Sequence, residues 1–145
     1  MIDLSRQVFI AFDTETTGLS PQNSHVIEIA GVRFTGTGQE IARFSTLANP
    51  GVRIDPEVTK IHGIDDAMVA SAPDPVHACQ QFAHWIHEGD ILIAYNAPFD
   101  VNFISSELVR GSEPGPTNRV IDFLRCARDL ELPVDNYKLK TLVEY

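Results

Sequence analysis

Asp13 and Glu15 in VFIAFDTETTGLSP, and Asp100 in ILIAYNAPFDVNFI, each place a carboxylate where an apolar run gives way to a more open element. On an extended chain the i, i+2 spacing puts Asp13 and Glu15 on one side of the backbone. There two like charges beside a core edge repel and are poorly solvated. A bound cation relieves that cost. Hard oxygen donors suit Mg²⁺ or Mn²⁺, which keep some waters and complete their shell with substrate phosphate oxygens. The chemistry so implied is phosphoryl transfer or phosphodiester hydrolysis. An Asp-x-Glu pair also arises by accident of surface composition. The position after an apolar strand and before Thr16-Thr17-Gly18 favours the metal platform.

The elements that must carry these acids are legible as patterns. Val8 to Phe12 reads as a short strand buried on both faces, which Asp13 and Glu15 terminate. Ile91 to Tyr95 reads as a second buried strand, broken by Asn96-Ala97-Pro98. Pro98 fits a first helical turn, and Val101, Ile104 and Leu108 give the following helix an apolar face. Asp100 then lies in that first turn, aimed at the end of the sheet; the helix dipole alone also accounts for an acid there. His25 to Phe34 and Glu40 to Leu47 alternate like strands around Gly36-Thr37-Gly38, so the first three strands form an antiparallel meander. A helix over Pro75 to His87, the Asp90 to Tyr95 strand, the Pro98 to Arg110 helix and a strand at Val120 to Asp122 follow as parallel additions. Residues 111–118, rich in Gly and Pro, form a loop.

FDTETTGLSP, NPGVRIDPEVTKIHGI and AYNAPFDVNF, in that order, resemble the successive motifs of the DEDD 3'-to-5' exonuclease superfamily. The similarity is to its proofreading branch, typified by the epsilon subunit of bacterial DNA polymerase III, and runs in register from Phe9 to Tyr145. The resemblance implies a ribonuclease-H-like three-layer α/β/α fold, with a mixed sheet made of an antiparallel three-strand meander followed by parallel strands. It implies two divalent metal ions, Mg²⁺ or Mn²⁺, held by Asp13, Glu15 and Asp100 as catalytic and metal-ligating residues. It implies the 3' end of a single-stranded DNA or RNA as substrate, released as nucleoside 5'-monophosphates, with a DNA polymerase or a fused domain as partner. Thr14, Glu15 and Thr16 resemble the cradle of the terminal nucleotide, Leu19 the wedge against its base, and His62, Asn96 and Phe99 further members of that pocket, with Gly18 also among the substrate-binding residues. Two plainer readings stay open: Leu19 covers the core, and His62 before Gly63 only shapes a turn.

The family's third motif, a His or Tyr general base followed by a fourth acid, lies on a helix downstream of the part that YKLKTLVEY resembles. We therefore expect residues 1–145 to be one exonuclease-like domain that lacks its C-terminal helix, a shortened product of a longer protein with weakened activity. Asn136 is expected to cap a last helix striped by Leu139, Leu142 and Val143. His77, His84 and His87 fall on the solvated side of a helix whose apolar face is Val76, Cys79, Phe82, Ala83 and Ile86, so they are no substitute for the missing base.

Bulk properties accord with a compact intracellular chain. Cys79 and Cys126 fall in helical stretches with apolar neighbours, where a reduced, space-filling role is the default. Met1 to Gln7 is polar and too short for targeting, and no apolar run reaches membrane length, which points to the cytosol and no membrane. The net charge of −9 excludes a general duplex clamp, since duplex affinity rests on cations that displace counterions. A charged pocket that grips one or two terminal nucleotides remains compatible with it. Two other classes stand beside the nuclease: a non-catalytic 3'-end-binding or scaffolding module on the same fold, and a metal-dependent phosphodiesterase of small molecules.

Overall fold

A computed structural model describes residues 4–145, so the first three residues of the segment read above as too short for targeting lie outside the described residues. Five strands form one sheet in the order β3-β2-β1-β4-β5. β1 (Val8–Thr16), β2 (Val26–Thr35) and β3 (Glu40–Leu47) are the antiparallel meander expected from the alternation, and β4 (Ile91–Ala94) and β5 (Val120–Asp122) add in parallel on the far side of β1.

β1 departs from the sequence reading in two ways. It does not stop at Asp13 but runs through to Thr16, because β2 pairs with it from Val8↔Thr35 to Thr16↔Val26 and supplies ladder bonds past the acids. Nor is it buried on both faces. Ile10, Phe12, Thr14 and Thr16 are buried while Ala11 and Asp13 are exposed, the alternation of a strand with one covered side. The ladder slips between Glu15 and Thr16, so β2 spends an extra residue, Ile27, opposite that step. Such a bulge re-aims a side chain, and Ile27 enters a small second core with Ile54, Ile64 and Val69.

α3 (Pro75–Trp85) and α4 (Ala97–Arg110) pack on the buried face, with Phe82, Phe103 and Leu108 essentially inaccessible. Each such apolar side chain contributes about 1.5–3 kcal/mol by leaving water. Gly31 lets this layer approach: a Cβ there would stand 3.1 Å from the Trp85 ring and 3.3 Å from Phe82. Within α4 the apolar stripe differs from the one expected. Phe103 and Ile104 are buried and Val101 only half so, and the stripe is flanked by two buried acids, Asp100 and Glu107. α3 ends two residues early, with Ile86 already extended at its C-cap.

Two short helices, α1 (Pro56–His62) and α2 (Asp66–Val69), occupy the connection after β3. Asp55 and Asp74, each followed by proline at the first helical position, cap α1 and α3 by accepting from Glu57 and His77 backbone N–H groups. α5 (Phe123–Asp129) follows β5, and α6 (Leu139–Glu144) ends the chain. Asn136 is not the N-cap of α6. Lys138 holds that position, and Asn136 lies two residues before it, accepting from the Lys138 N–H and the Thr141 hydroxyl. Of the expected stripe only Leu142 is buried. Cys79 is buried as expected, whereas Cys126 is exposed. No helix among the described residues is long and apolar enough to cross a membrane.

Candidate active site

The acids meet where β1 ends and α4 begins. Asp13 and Glu15 flank Thr14 on β1, and Thr14 turns inward to the helix side. Its backbone N–H and its hydroxyl both donate to Asp100 Oδ1, at 2.9 and 2.6 Å. Asp100 is 2% exposed in the first turn of α4. The strand therefore fixes the helix acid directly, and the two acids beside Thr14 lie within electrostatic reach of it.

That reach shows in the protonation equilibria. Burial pushes the Asp100 carboxyl up to about 6, Thr14 hydrogen bonds oppose the rise, and the Asp13 charge adds to it. Glu15 is raised by burial and then by Asp13, Glu28 and Asp100 in turn. Asp13 is open to solvent as a residue, yet enough protein surrounds its carboxyl group to raise its pKa as well; the Thr14 N–H partly offsets this. Three raised acids, of which Asp13 acts on both Glu15 and Asp100, are an arrangement that a cation stabilises. The all-oxygen donor set fits a hard divalent ion. Among the described residues, however, no three His, Cys, Asp or Glu side chains close up to a ligand cage. The carboxylates share a field without being gathered around one point.

Glu28 was not anticipated. It stands directly across the ladder from Glu15 and adds a fourth carboxylate to the field. The signal available in sequence was an acid inside the apolar run Val26-Ile27-Glu28-Ile29. His62 lies within reach of the Glu28 charge, in the last turn of α1. Its Nδ1 accepts from the Ile64 N–H at 3.0 Å, so it does shape the turn that Gly63 makes with φ of 81°. Burial lowers its pKa, with Glu28 opposing, and an Nδ1 that accepts leaves Nε2 as the nitrogen that carries the proton. That nitrogen is buried and finds no hydrogen-bond partner among the described residues. An unspent donor remains beside the acids.

The remaining expected site residues fall out as follows. Leu19 is 88% exposed, which removes its reading as a cover of the core. Thr14, expected in the nucleotide cradle, has its side chain buried and both donors committed to Asp100. Thr16 is buried and donates to the Gly18 carbonyl at 2.6 Å, shaping the start of the loop that carries Leu19. Gly18 approaches Ser24 so closely that a Cβ would stand 2.6 Å from the Ser24 hydroxyl. Asn96 precedes α4 in the left-handed region, φ 57° and ψ 48°, makes no side-chain cap, and is exposed. A non-glycine residue held there is strained, a condition that clusters at functional sites. Phe99 is half-buried and packs on Phe103 with ring centroids 4.9 Å apart, so it belongs partly to the core.

The family model described as Exonuclease (RNase_T) matches residues 10–145. The chain is 40% identical over 139 residues to a DNA polymerase III PolC-type of Caldanaerobacter subterraneus subsp. tengcongensis, covering 94% of this chain and 10% of that protein. It is 42% identical over 114 residues to DNA polymerase III subunit epsilon of Treponema pallidum, covering 79% of this chain and 52% of that protein. The chain thus spans about a tenth of its PolC-type relatives and about half of the epsilon relative. Among solved structures it is similar to exonuclease I, with a TM-score of 0.85 at 16% identity over 96% of this chain and 36% of that one. That likeness shows the fold: the mixed five-stranded sheet is of the ribonuclease-H-like kind expected from the sequence.

Proposed function

The chain belongs to the exonuclease family RNase_T, and from that premise we propose that it trims single-stranded DNA or RNA from the 3' end. Water adds across the terminal phosphodiester, giving a nucleoside 5'-monophosphate and a strand shortened by one residue with a 3'-hydroxyl. The observation that carries this reading is the shared field of Asp13, Glu15 and Asp100 at the junction of β1 and α4.

In this reading Asp13, Glu15 and Asp100 hold divalent metal ions, Mg²⁺ or Mn²⁺. Such ions supply positive charge at the scissile phosphate and make water there more acidic. The rest of the work falls to the chain itself. Thr14 orients Asp100 and keeps its pKa from rising further. His62 shapes the turn after α1 within reach of the Glu28 charge and is, in this reading, a further member of the nucleotide pocket. Leu19 offers an exposed apolar surface to the terminal base, and Thr16 with Gly18 sets the loop that presents it. Asn96 and Phe99 complete the pocket at the start of α4. With a net charge of −9 the chain grips little beyond the terminal nucleotides, and without metal its binding is weak and strongly salt-sensitive. The similarity to DNA polymerase III proteins supports a role in proofreading beside a polymerase.

A second reading is a 3'-end-binding module without hydrolysis, favoured by the absence of a closed three-ligand cage among the described residues. One experiment separates the two. Single-stranded DNA and RNA labelled at the 5' end are incubated with the chain in Mg²⁺ or Mn²⁺, beside Asp13→Ala. A ladder shortening from the 3' end that Asp13→Ala abolishes establishes the nuclease. Retained, 3'-specific binding with no shortening in either metal establishes the module.

A further inference from the structure

The connection between β1 and β2, residues 17–25, carries Leu19 and is fastened to α4 by polar contacts. Glu107 is 1% exposed, one of two buried acids on α4. Its Oε1 accepts from His25 Nδ1 at 3.0 Å and from the Val26 N–H at 3.4 Å, at the point where the loop re-enters the sheet. Arg110, one turn further on, pairs with the same oxygen at 2.9 Å. The Arg110 guanidinium then reaches over the loop and donates to the carbonyls of Pro21 at 2.6 Å, Gln22 at 3.3 Å and Ser24 at 3.5 Å. The Ser106 hydroxyl adds a bond to Pro21 at 3.3 Å. An open groove of about 410 Å³ lies between Pro21 and Gln22 on one side and Asn102, Ser105, Ser106 and Val109 on the other.

We propose that Glu107 and Arg110 are positioning residues that clamp the 17–25 loop to α4 and so set where Leu19 meets the 3'-terminal base. Asp100 lies seven residues before Glu107 on the same helix, so one rigid element indexes both the reacting end and the base-contacting loop. A buried carboxylate is retained only where its partners are in place. Here those partners are one guanidinium, one imidazole and one backbone N–H; the imidazole belongs to the last residue of the connection and the N–H to Val26, where β2 begins. The planar guanidinium suits several carbonyls at once, which an ammonium does not.

The proposal rests on the reading of Leu19 as a contact to the terminal base, and the test keeps the two apart. Arg110 is exposed, so Arg110→Ala removes no buried apolar side chain, although it takes the cation from buried Glu107. Amide exchange of residues 17–25 is measured together with affinity for a short oligothymidylate whose terminal linkage is a non-hydrolysable phosphonate, in Mg²⁺. We expect Arg110→Ala to speed exchange in the loop and to weaken binding about five- to tenfold, the loss of a charge-assisted anchor. Arg110→Lys recovers part of this, and Glu107→Gln behaves as Arg110→Ala does. In a Leu19→Ala background, Arg110→Ala should cost nothing further, because the clamp acts through Leu19. Unchanged loop exchange, or an undiminished loss in the Leu19→Ala background, overturns the proposal. Binding by Leu19→Ala equal to the unaltered chain overturns the reading of Leu19 and the functional half of the proposal with it; the exchange data then still report the clamp.

Discussion

Glu15 and Glu28 stand directly opposite each other on adjacent antiparallel strands, two carboxylates paired where a sheet ordinarily sets opposite charges or apolar groups. Like charges in that relation destabilise a ladder. The neighbourhood of Asp13 and Asp100 deepens the cost. The first prediction follows: Glu28→Gln stabilises the metal-free chain by about 0.5–1 kcal/mol, read as a higher urea midpoint in the presence of chelator. An unchanged or lower midpoint would show that Glu28 is compensated within the fold.

Asp100 gives a pH dependence with a definite sign. Its carboxyl titrates near 6 in the folded chain, above the ordinary aspartate value of about 4. The folded state therefore holds a proton that the unfolded state has released between those values, and stability falls as pH rises through that window. At about 1.4 kcal/mol per pH unit the loss is up to about 3 kcal/mol. Denaturation of the metal-free chain between pH 4 and pH 7 should show this slope, and Asp100→Asn should remove its share. Equal slopes in the two proteins would refute the assignment.

Thr14→Val removes the hydroxyl donor and keeps the backbone one. Since the lost bond favours the charged carboxylate, the Asp100 pKa should rise above its present value of about 6. The acid limb of the activity profile should move to higher pH, and a stability change of about 1 kcal/mol should accompany it. Carboxyl-carbon NMR titration measures the pKa directly, and a limb that stays in place counts against Thr14 as the group that orients Asp100.

The two thiols should differ in reactivity. Cys126 is exposed on α5, while burial pushes the Cys79 thiol up to about 12. A thiol reagent at neutral pH should modify Cys126 at once and Cys79 only on unfolding. Cys126→Ser should abolish the fast phase, and a fast phase that survives it would place Cys79 at the surface.

Much of the frame was legible in the sequence because its signals are local. The alternation of β2 and β3, the helix that starts at Pro75, and the break at Asn96-Ala97-Pro98 each specify an element without outside help. Asp100 was legible for the same reason. What escaped was set by distant partners. The length of β1 depends on the hydrogen bonds that β2 supplies, and its exposed face on which elements cover it. The burial of Glu107 depends on His25, some eighty positions away. An acid at Glu107, seven residues after Asp100 and beside Phe103 and Ile104, was nonetheless a readable sign of a polar partner on the apolar side of a helix.

The Thr14–Asp100 bonds join positions 86 residues apart. β1 pairs with β2 through a short connection, but its other neighbour, β4, is reached only after α1, α2 and α3. Closing a long loop is the slow step in folding a mixed sheet, and contacts of high sequence separation are rewarded late. The meander can therefore form with Asp13 and Glu15 still in water and far from Asp100. The repulsion of Asp100 against the acids of β1 is met only when β4 docks and brings α4 with it, whereas that between Glu15 and Glu28 is present as soon as the meander pairs.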